Sequence, residues 1–484
     1  MWTGPLVFEN ESNLQGMAKI ITSLTDELCP TAVNKSGVKI PICPTTFSGD
    51  QKTEKAGRSA QIALLDNGSM RDKLAFVTGR HELLHFLFMF TDLIMDIFSD
   101  SENLEEATCL SRLIKLLNPR LENKKAKDLY YAFRDAFNDI FVAQLGQALC
   151  SYLNVSDLDS DVTPGNIRLE SNKKQQIKLF RKFIRSFIRQ TNEEFKDCQE
   201  DETDVSKLPP FYPHHKYMRK VKKKNIPSRS HVDEVSPAAN IEAVANDDEK
   251  VYEAKTREDK KKIDAKNEYF RGLLSILGSY QLLLDSIKEG NGLNSHLIQK
   301  LLLKLVQATG HKNYSCSMMS FKNIVLKHSN PQYSHRFMWN VFAGRAGKSL
   351  NFPRDMKNEH LNRYLKNSFR SLGVNLNEQT ARRVNNSADV GLQIEVKINK
   401  FFDINAGGKS HTTKNREAQI KKLMEIFKKE NSTSVISGRV FKGPDVKSNV
   451  FTMYDEVKFR SWHSKKEKEM LKIEKLRENY FYST

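Results

Sequence analysis

Hydrophobic residues recur along this chain mostly at helical spacing, broken by two short alternating runs near the start. Leu14–Leu28 reads as a helix closed by Cys29-Pro30, and a polar turn follows at Asn34-Lys-Ser-Gly37. Val38, Ile40 and Ile42 then alternate, and with Thr45-Thr-Phe47 they predict a strand whose internal proline favours an edge or a bulge. That strand delivers Ser48-Gly49-Asp50-Gln51-Lys52-Thr53 to its C-terminal end, a common place for ligand groups in α/β folds. A Gly-Asp pair is also ordinary turn chemistry. Leu74–Thr78 is a second strand candidate. From His81 to about Leu153 the pattern is helical. Leu83–Phe98 is apolar nearly all round and is expected to be buried, while Ala107–Leu117 and Leu129–Leu153 are amphipathic. Lys173–Arg189 reads as a basic amphipathic helix.

The second half begins after a linker. Asp197–Lys260 pairs a basic run ending in Lys222, Lys223 and Lys224 with an acidic stretch, and has little to bury, which predicts disorder. The basic run suits a nuclear address or a phosphate-contacting arm. Asn267–Leu284 and Ser295–Ala308 are further core helices, and aromatic Tyr333–Phe342 is expected to re-enter the sheet. At Pro353 a helix starts, with Asp355 placed to cap its own first amides. Leu361, Leu365 and Phe369 form its apolar stripe, and Glu359, Asn362, Arg363 and Lys366 share another face. Glu378–Asn386, Leu392–Phe402 and Arg416–Glu430 read as helices, Ser432–Lys442 as a strand, and Lys465–Tyr480 as a basic closing helix.

Composition narrows the class. At 484 residues with 39% hydrophobic content, the chain is long enough for two to four domains. No apolar run reaches the roughly 18 residues a membrane span needs. The opening residues lack a secretory pattern, and a preceding segment is expected. The net charge of +18 favours polyanions, nucleic acid first and anionic membrane second. Six scattered cysteines without a C-x-x-C pair fit a reducing compartment, nucleus or cytosol.

Three patterns bear on chemistry. His81-Glu-Leu-Leu-His85 matches H-E-x-x-H, in which two histidines one helical turn apart bind zinc and the glutamate acts as base. Only three residues are fixed, and the longer metzincin continuation is missing at Phe88 and Thr91. Gly344-Arg-Ala-Gly-Lys-Ser349 ends like a phosphate loop but has Phe342 where the first glycine belongs. The third pattern is acidic. Asp50 at a strand end, Glu82 or His85 in the middle and Glu359 on a late helix have the order of metal-dependent phosphodiester sites.

At Phe47-Ser-Gly-Asp-Gln-Lys-Thr53, Gly344-Arg-Ala-Gly-Lys-Ser349, Asp355-x-x-x-Glu-His-Leu-Asn-Arg-x-x-Lys366, Leu372-Gly-Val-Asn375 and Ser437-Gly-Arg439 the chain resembles an uncharacterised eukaryotic domain family. That family is of unknown function and is spread through invertebrate and fungal genomes in a transposon-like way. The resemblance implies mobile-element ancestry. Its middle motif, an acid, an aromatic and a histidine, is met here only in part: aligning His85 leaves Leu83 and Leu84 in the other places, with Glu82 as the substitute acid.

The expected fold is α/β with predominantly helical content: a ribonuclease-H-like core from residues 36–80 and 333–450, interrupted by a large helical insertion (81–196 and 263–332) and the disordered charged linker. Residues 1–35 and 451–484 are helical ends. The expected function is nucleic-acid binding with residual magnesium- or manganese-dependent phosphodiester cleavage. Asp50 and Glu359 would be the metal ligands, Glu82 and His85 would assist, and Lys52, Arg363, Lys366 and Lys222–Lys224 would hold phosphate. The alternatives are a non-catalytic interaction scaffold and an H-E-x-x-H zinc peptidase.

Overall fold

The computed structural model describes residues 7–155 (apart from 101–104 and single positions 8, 10, 12, 34, 36, 38 and 123), Phe183, and residues 263–325, 331–345, 348–402 and 416–481. The basic helix at Lys173–Arg189, the linker and Lys222–Lys224 lie outside these residues. Two compact units emerge. One comprises Met1–Leu158, Ala265–Val435 and Val440–Thr484; the other comprises Asp159–Asp264 with Ile436–Arg439.

In the first unit the elements run α1 (Leu14–Leu28), β1 (Thr31–Val33), β2 (Lys39–Pro41), β3 (Thr45–Gly49), α2 (Gln51–Ala63), β4 (Val77–His81), α3 (Leu83–Phe98), α4 (Leu110–Leu117) and α5 (Ala126–Leu153). They continue with α6 (Ala265–Glu289), α7 (Gly292–Ala308), α8 (Lys312–Asn323), α9 (Pro331–Trp339), β5 (Phe342–Arg345), β6 (Lys348–Pro353), α10 (Arg354–Leu372), α11 (Glu378–Phe401), α12 (Glu417–Lys429) and α13 (Glu456–Phe481). The chain is mostly helical with short strands, as the hydrophobic spacing implies.

The core forms around α3. Its near-complete apolar surface is buried on several sides, with Phe86, Phe90, Leu93, Ile94 and Phe98 inaccessible to solvent, and it packs against α4, α5, α6 and α10. Two hydroxyls inside this core find carbonyl partners: Tyr269 donates to the Phe98 carbonyl at 2.7 Å, and Thr91 Oγ1 donates to the Leu87 carbonyl at 2.9 Å. Among the described residues no helix is long and apolar enough to cross a membrane.

Several readings of local structure change, and the helices expected at Glu378–Asn386 and Leu392–Phe402 are one, Glu378–Phe401. The strand expected at Leu74–Thr78 begins later, at Val77, because Leu74 takes a left-handed turn conformation (φ 53°). Of Tyr333–Phe342 only Phe342 enters a strand, β5: Pro331–Trp339 is helix, started by its proline, and Tyr333 stacks on Phe337 one turn away. Ser432–Lys442 forms no strand. In the second unit Asp264 grips Arg439 through both carboxylate oxygens, at 2.9 and 2.8 Å, and accepts the Ile436 amide at 2.7 Å. Gly438 supplies the positive φ of 78° that this turn needs. The Ser437-Gly-Arg439 motif is thus a bidentate clamp.

Among the described residues the strands pair only two by two: β1 with β2 antiparallel, β3 with β4 parallel, β5 with β6 antiparallel. The wide mixed sheet of a ribonuclease-H-like core is not among them. Of Gly344-Arg-Ala-Gly-Lys-Ser349 the described residues lie on β5 and β6, which pair antiparallel, where a phosphate loop would run from a strand into a helix.

Beneath β4 lies a layer of buried polar residues. The imidazole of His296 meets the Phe321 ring edge-on at 4.7 Å, and neither nitrogen has a hydrogen-bond partner. Burial, helped by the charge of Arg80, holds it down to about 4. The folded-state value is below the unfolded one, so its stability contribution is whole above about pH 6.5 and is lost as pH falls toward 4. His296→Leu is therefore expected to gain about 2 kcal/mol on the wild type at pH 5 relative to the same comparison at pH 8. Urea unfolding at the two pH values measures this, and an equal difference at both would refute it.

Candidate metal centre

The parallel register of β3 and β4 builds the site. Gly49 stands opposite His81, so the next residues of the two strands, Asp50 and Glu82, leave the sheet side by side at its C-terminal edge. Each is the N-cap of the helix that follows. Asp50 caps α2 in the ordinary way, accepting the Thr53 amide at 2.8 Å. Glu82 makes no side-chain cap to α3, and its carboxyl is left for other work.

The cap of α3 comes instead from 270 residues away. Asp355 Oδ2 accepts the Leu84 amide at 2.8 Å and the His85 amide at 3.3 Å, the second and third amides of the helix. The same oxygen lies 3.3 Å from His85 Nδ1. This corrects the expectation that Asp355 caps its own helix: α10 begins at Arg354 with Pro353 at the cap position and no side-chain cap, and Asp355 is 1% exposed and turned onto α3. The positive end of α3 favours a carboxylate there. The other oxygen, Asp355 Oδ1, is buried and has no hydrogen-bond partner.

One turn further along α10, Glu359 Oε1 sits 3.9 Å from His85 Nε2, and its side chain is about half exposed at 49%. With Nδ1–H donated to Asp355, Nε2 faces the side where Glu359 lies. One ligand atom each from Glu82, His85 and Asp355 lie within 4.8 Å of one another.

The charges feel each other. Burial, followed by the negative charges of Asp355, Glu359 and Asp50 and opposed by His85, pushes the Glu82 carboxyl up to about 7. The hydrogen bond to Asp355 raises the His85 imidazole, against the opposing effect of burial. Tyr314 closes the floor, donating its hydroxyl to the His85 carbonyl at 3.0 Å. Burial raises its phenol, and the charges of Asp50, Asp355 and Asp92 add to that. Of the residues expected from sequence, Glu82 and His85 belong to the cluster and Glu359 lies beside His85, while Asp50 reaches it only through its charge on Glu82. Asp355 is the member that sequence reasoning assigned elsewhere. Its four-residue spacing from Glu359, which puts both on one face of α10, was the signal available.

A divalent cation fits this donor set. Carboxylate oxygens with one imidazole nitrogen match manganese better than magnesium, which prefers oxygen alone. The orphaned Asp355 Oδ1 and the raised Glu82 are what packed carboxylates show when no cation balances them. A zinc-peptidase arrangement is not formed. His81 ends β4 rather than sharing a helical face with His85, and its two nitrogens lie 2.7 Å from Ser317 Oγ and 2.9 Å from Gln299 Oε1. Burial holds His81 down to about 3.

Of the expected phosphate holders, Lys52 is exposed in the first turn of α2, and Arg363 and Lys366 are exposed on α10, four and seven residues beyond Glu359. Leu365 supplies the buried stripe of α10, with Phe369 half-buried behind it; the side chain of Leu361 lies outside the described residues.

The model of the family described as "Family of unknown function (DUF6589)" matches residues 2–411, and the chain belongs to this family. No curated protein and no solved structure matches the chain.

Proposed function

We propose that this member of a family of unknown function binds a divalent cation, manganese or magnesium, at Glu82, His85 and Asp355 and uses it to cleave phosphodiester bonds in nucleic acid. The observation that carries the reading is the meeting of Glu82 and Asp355 with the His85 imidazole, with Glu359 on its other nitrogen. Such a carboxylate-rich centre is costly to hold together without a cation.

The cation would supply Lewis acidity to a phosphoryl oxygen and acidify a water. The chain's own residues do the rest. Asp355 fixes the ring of His85 through Nδ1 and ties it to the start of α3. Glu359 borders His85, half exposed and so reachable by substrate, and the charge of Asp50 reaches Glu82. Lys52, Arg363 and Lys366 lie on the same two helices and would hold flanking phosphates. Strand cleavage of this kind is the activity that mobile-element ancestry would leave behind. The reading rests on the ligand geometry and requires no ribonuclease-H-like sheet.

Two measurements test it. Calorimetric titration with manganese should show one tight event that weakens as pH falls below 7, because protonated Glu82 must release its proton to bind. Manganese-dependent nicking of supercoiled plasmid should accompany it and fall at least a hundredfold in Glu82→Gln and in Asp355→Asn, roughly the loss expected when one ligand to a catalytic ion is removed. Manganese binding without nicking would instead favour a scaffold that keeps the ion for structure.

A further inference from the structure

The closing helix α13 sorts its charges in a way a merely solvated face does not. Its described acids are each held by a cation on a flank or on the buried side. Glu456 is taken by Arg460 at 2.7 Å and by Lys304 at 3.6 Å, Glu469 by Lys466 at 2.7 Å, and Glu467 lies 3.7 Å from His463. Glu474 is buried against Arg477. Left over are Lys465, Lys468, Lys472 and Lys475, all exposed and following one another at intervals of three and four residues. That spacing places them on one face, about 15 Å from first to last at the helical rise. Like charges so spaced weaken a helix, and the one described carboxylate at that spacing from them, Glu469, is already held by Lys466 at 2.7 Å. Three of these lysines line an open cleft of about 500 Å³ together with Ser461, Ser464 and Glu469.

The helix beneath this stripe is firmly seated. Phe459, Met470 and Ile473 are buried on its opposite side. The buried Arg477 donates to the carbonyls of Ala75 and Val77, at the start of the strand that ends in His81 and leads into Glu82. The stripe is therefore a fixed row of cations on the same unit as the metal centre, and it lies beyond residue 411, where the family match ends.

We infer that Lys465, Lys468, Lys472 and Lys475, with the Ser461 and Ser464 hydroxyls, are a docking surface for the sugar-phosphate backbone of nucleic acid. A row of unneutralised cations with hydroxyl donors is complementary to successive phosphates, and it reads charge, not sequence. The choice of partner rests on the phosphodiester reading of the metal centre, but binding needs no ion.

The test is fluorescence anisotropy with a labelled 20-base-pair duplex in EDTA, over a salt series, comparing the full chain with the quadruple Lys→Gln variant. Four lost phosphate contacts should lower the slope of log affinity against log salt by about 3 to 4, and affinity at 0.1 M salt by roughly a hundredfold or more. Lys466→Gln, which removes a lysine already paired on the same helix, should leave the slope unchanged. An unaltered slope in the quadruple variant overturns the inference, as does failure of the full chain to bind the duplex at low salt. Lysine-dependent binding to phosphatidylserine vesicles with the duplex slope unaltered overturns it in favour of a membrane surface. Loss of the slope in a protein that binds no manganese would sustain the stripe while the metal reading fell.

Discussion

Replacing Asp355 by alanine is expected to cost about 3 kcal/mol or more of stability even with no metal present, a large effect for a residue near no sequence-defined core. Three losses coincide. The start of α3 loses the only side-chain oxygen bonded to its Leu84 and His85 amides among the described contacts; a lost helix cap alone typically costs about 1 kcal/mol. His85 loses the acceptor for Nδ1. The third loss concerns Arg80, a buried guanidinium lying over the Phe321 ring at 4.4 Å, whose Nε and Nη1 have no hydrogen-bond partner. Burial already brings Arg80 down to about 9, and the charge of Asp355 is what works against that. Denaturant midpoints for Asp355→Ala and Asp355→Asn check the account. The asparagine keeps an acceptor for the amides, so it should recover part of the loss and none of the metal binding. Equal loss in both would remove the capping role.

Glu82→Gln should do the opposite in ion-free protein. The wild-type carboxyl is raised in the folded state, from an ordinary value near 4.5 to about 7. The folded protein therefore binds more protons than the unfolded chain in that window, and Glu82's contribution to stability is whole below pH 4.5 and lost as pH rises through 7. The full loss is about 3 kcal/mol, as an order of magnitude. An amide has no charge to lose, so at pH 8 in EDTA the variant should melt several degrees above wild type. Manganese should reverse the ranking by stabilising the wild type, by about 2.7 kcal/mol at a hundredfold excess over its dissociation constant, and leaving the variant unmoved. Paired thermal melts with and without manganese settle the sign. A variant that melts lower than wild type in EDTA at pH 8 would show that Glu82 is not under strain from its neighbours.

Much of the helical architecture was legible because burial leaves a periodic trace. Leu14–Leu28 and the all-round apolar Leu83–Phe98 are found with the same limits that spacing predicts. The readings that failed were those where tertiary packing overrides a local preference. Aromatic Tyr333–Phe342 looks strand-like, yet Phe337 and Met338 are buried against α8 as one face of a helix. Asp355 sits where a residue would cap its own helix, and no local rule tells it to reach α3 instead. H-E-x-x-H is a helical pattern only if the helix starts before its first histidine, and here the strand ends on that residue.

By itself the sequence determined which residues are chemically able to make a site: Asp50 after a strand, Glu82 and His85 at a helix start, Glu359 on a polar helical face, and an excess of cations to meet phosphate. Only the tertiary structure decided that Glu82 and His85 meet Asp355, with Glu359 beside the imidazole. That depends on the parallel register setting Gly49 against His81, and on α10 lying across the start of α3 so that Asp355 crosses over. The reason is physical: residue spacing constrains neighbours within a turn or a strand, whereas contacts between residues 270 apart are fixed by how buried faces pack, which the order of residues records only indirectly.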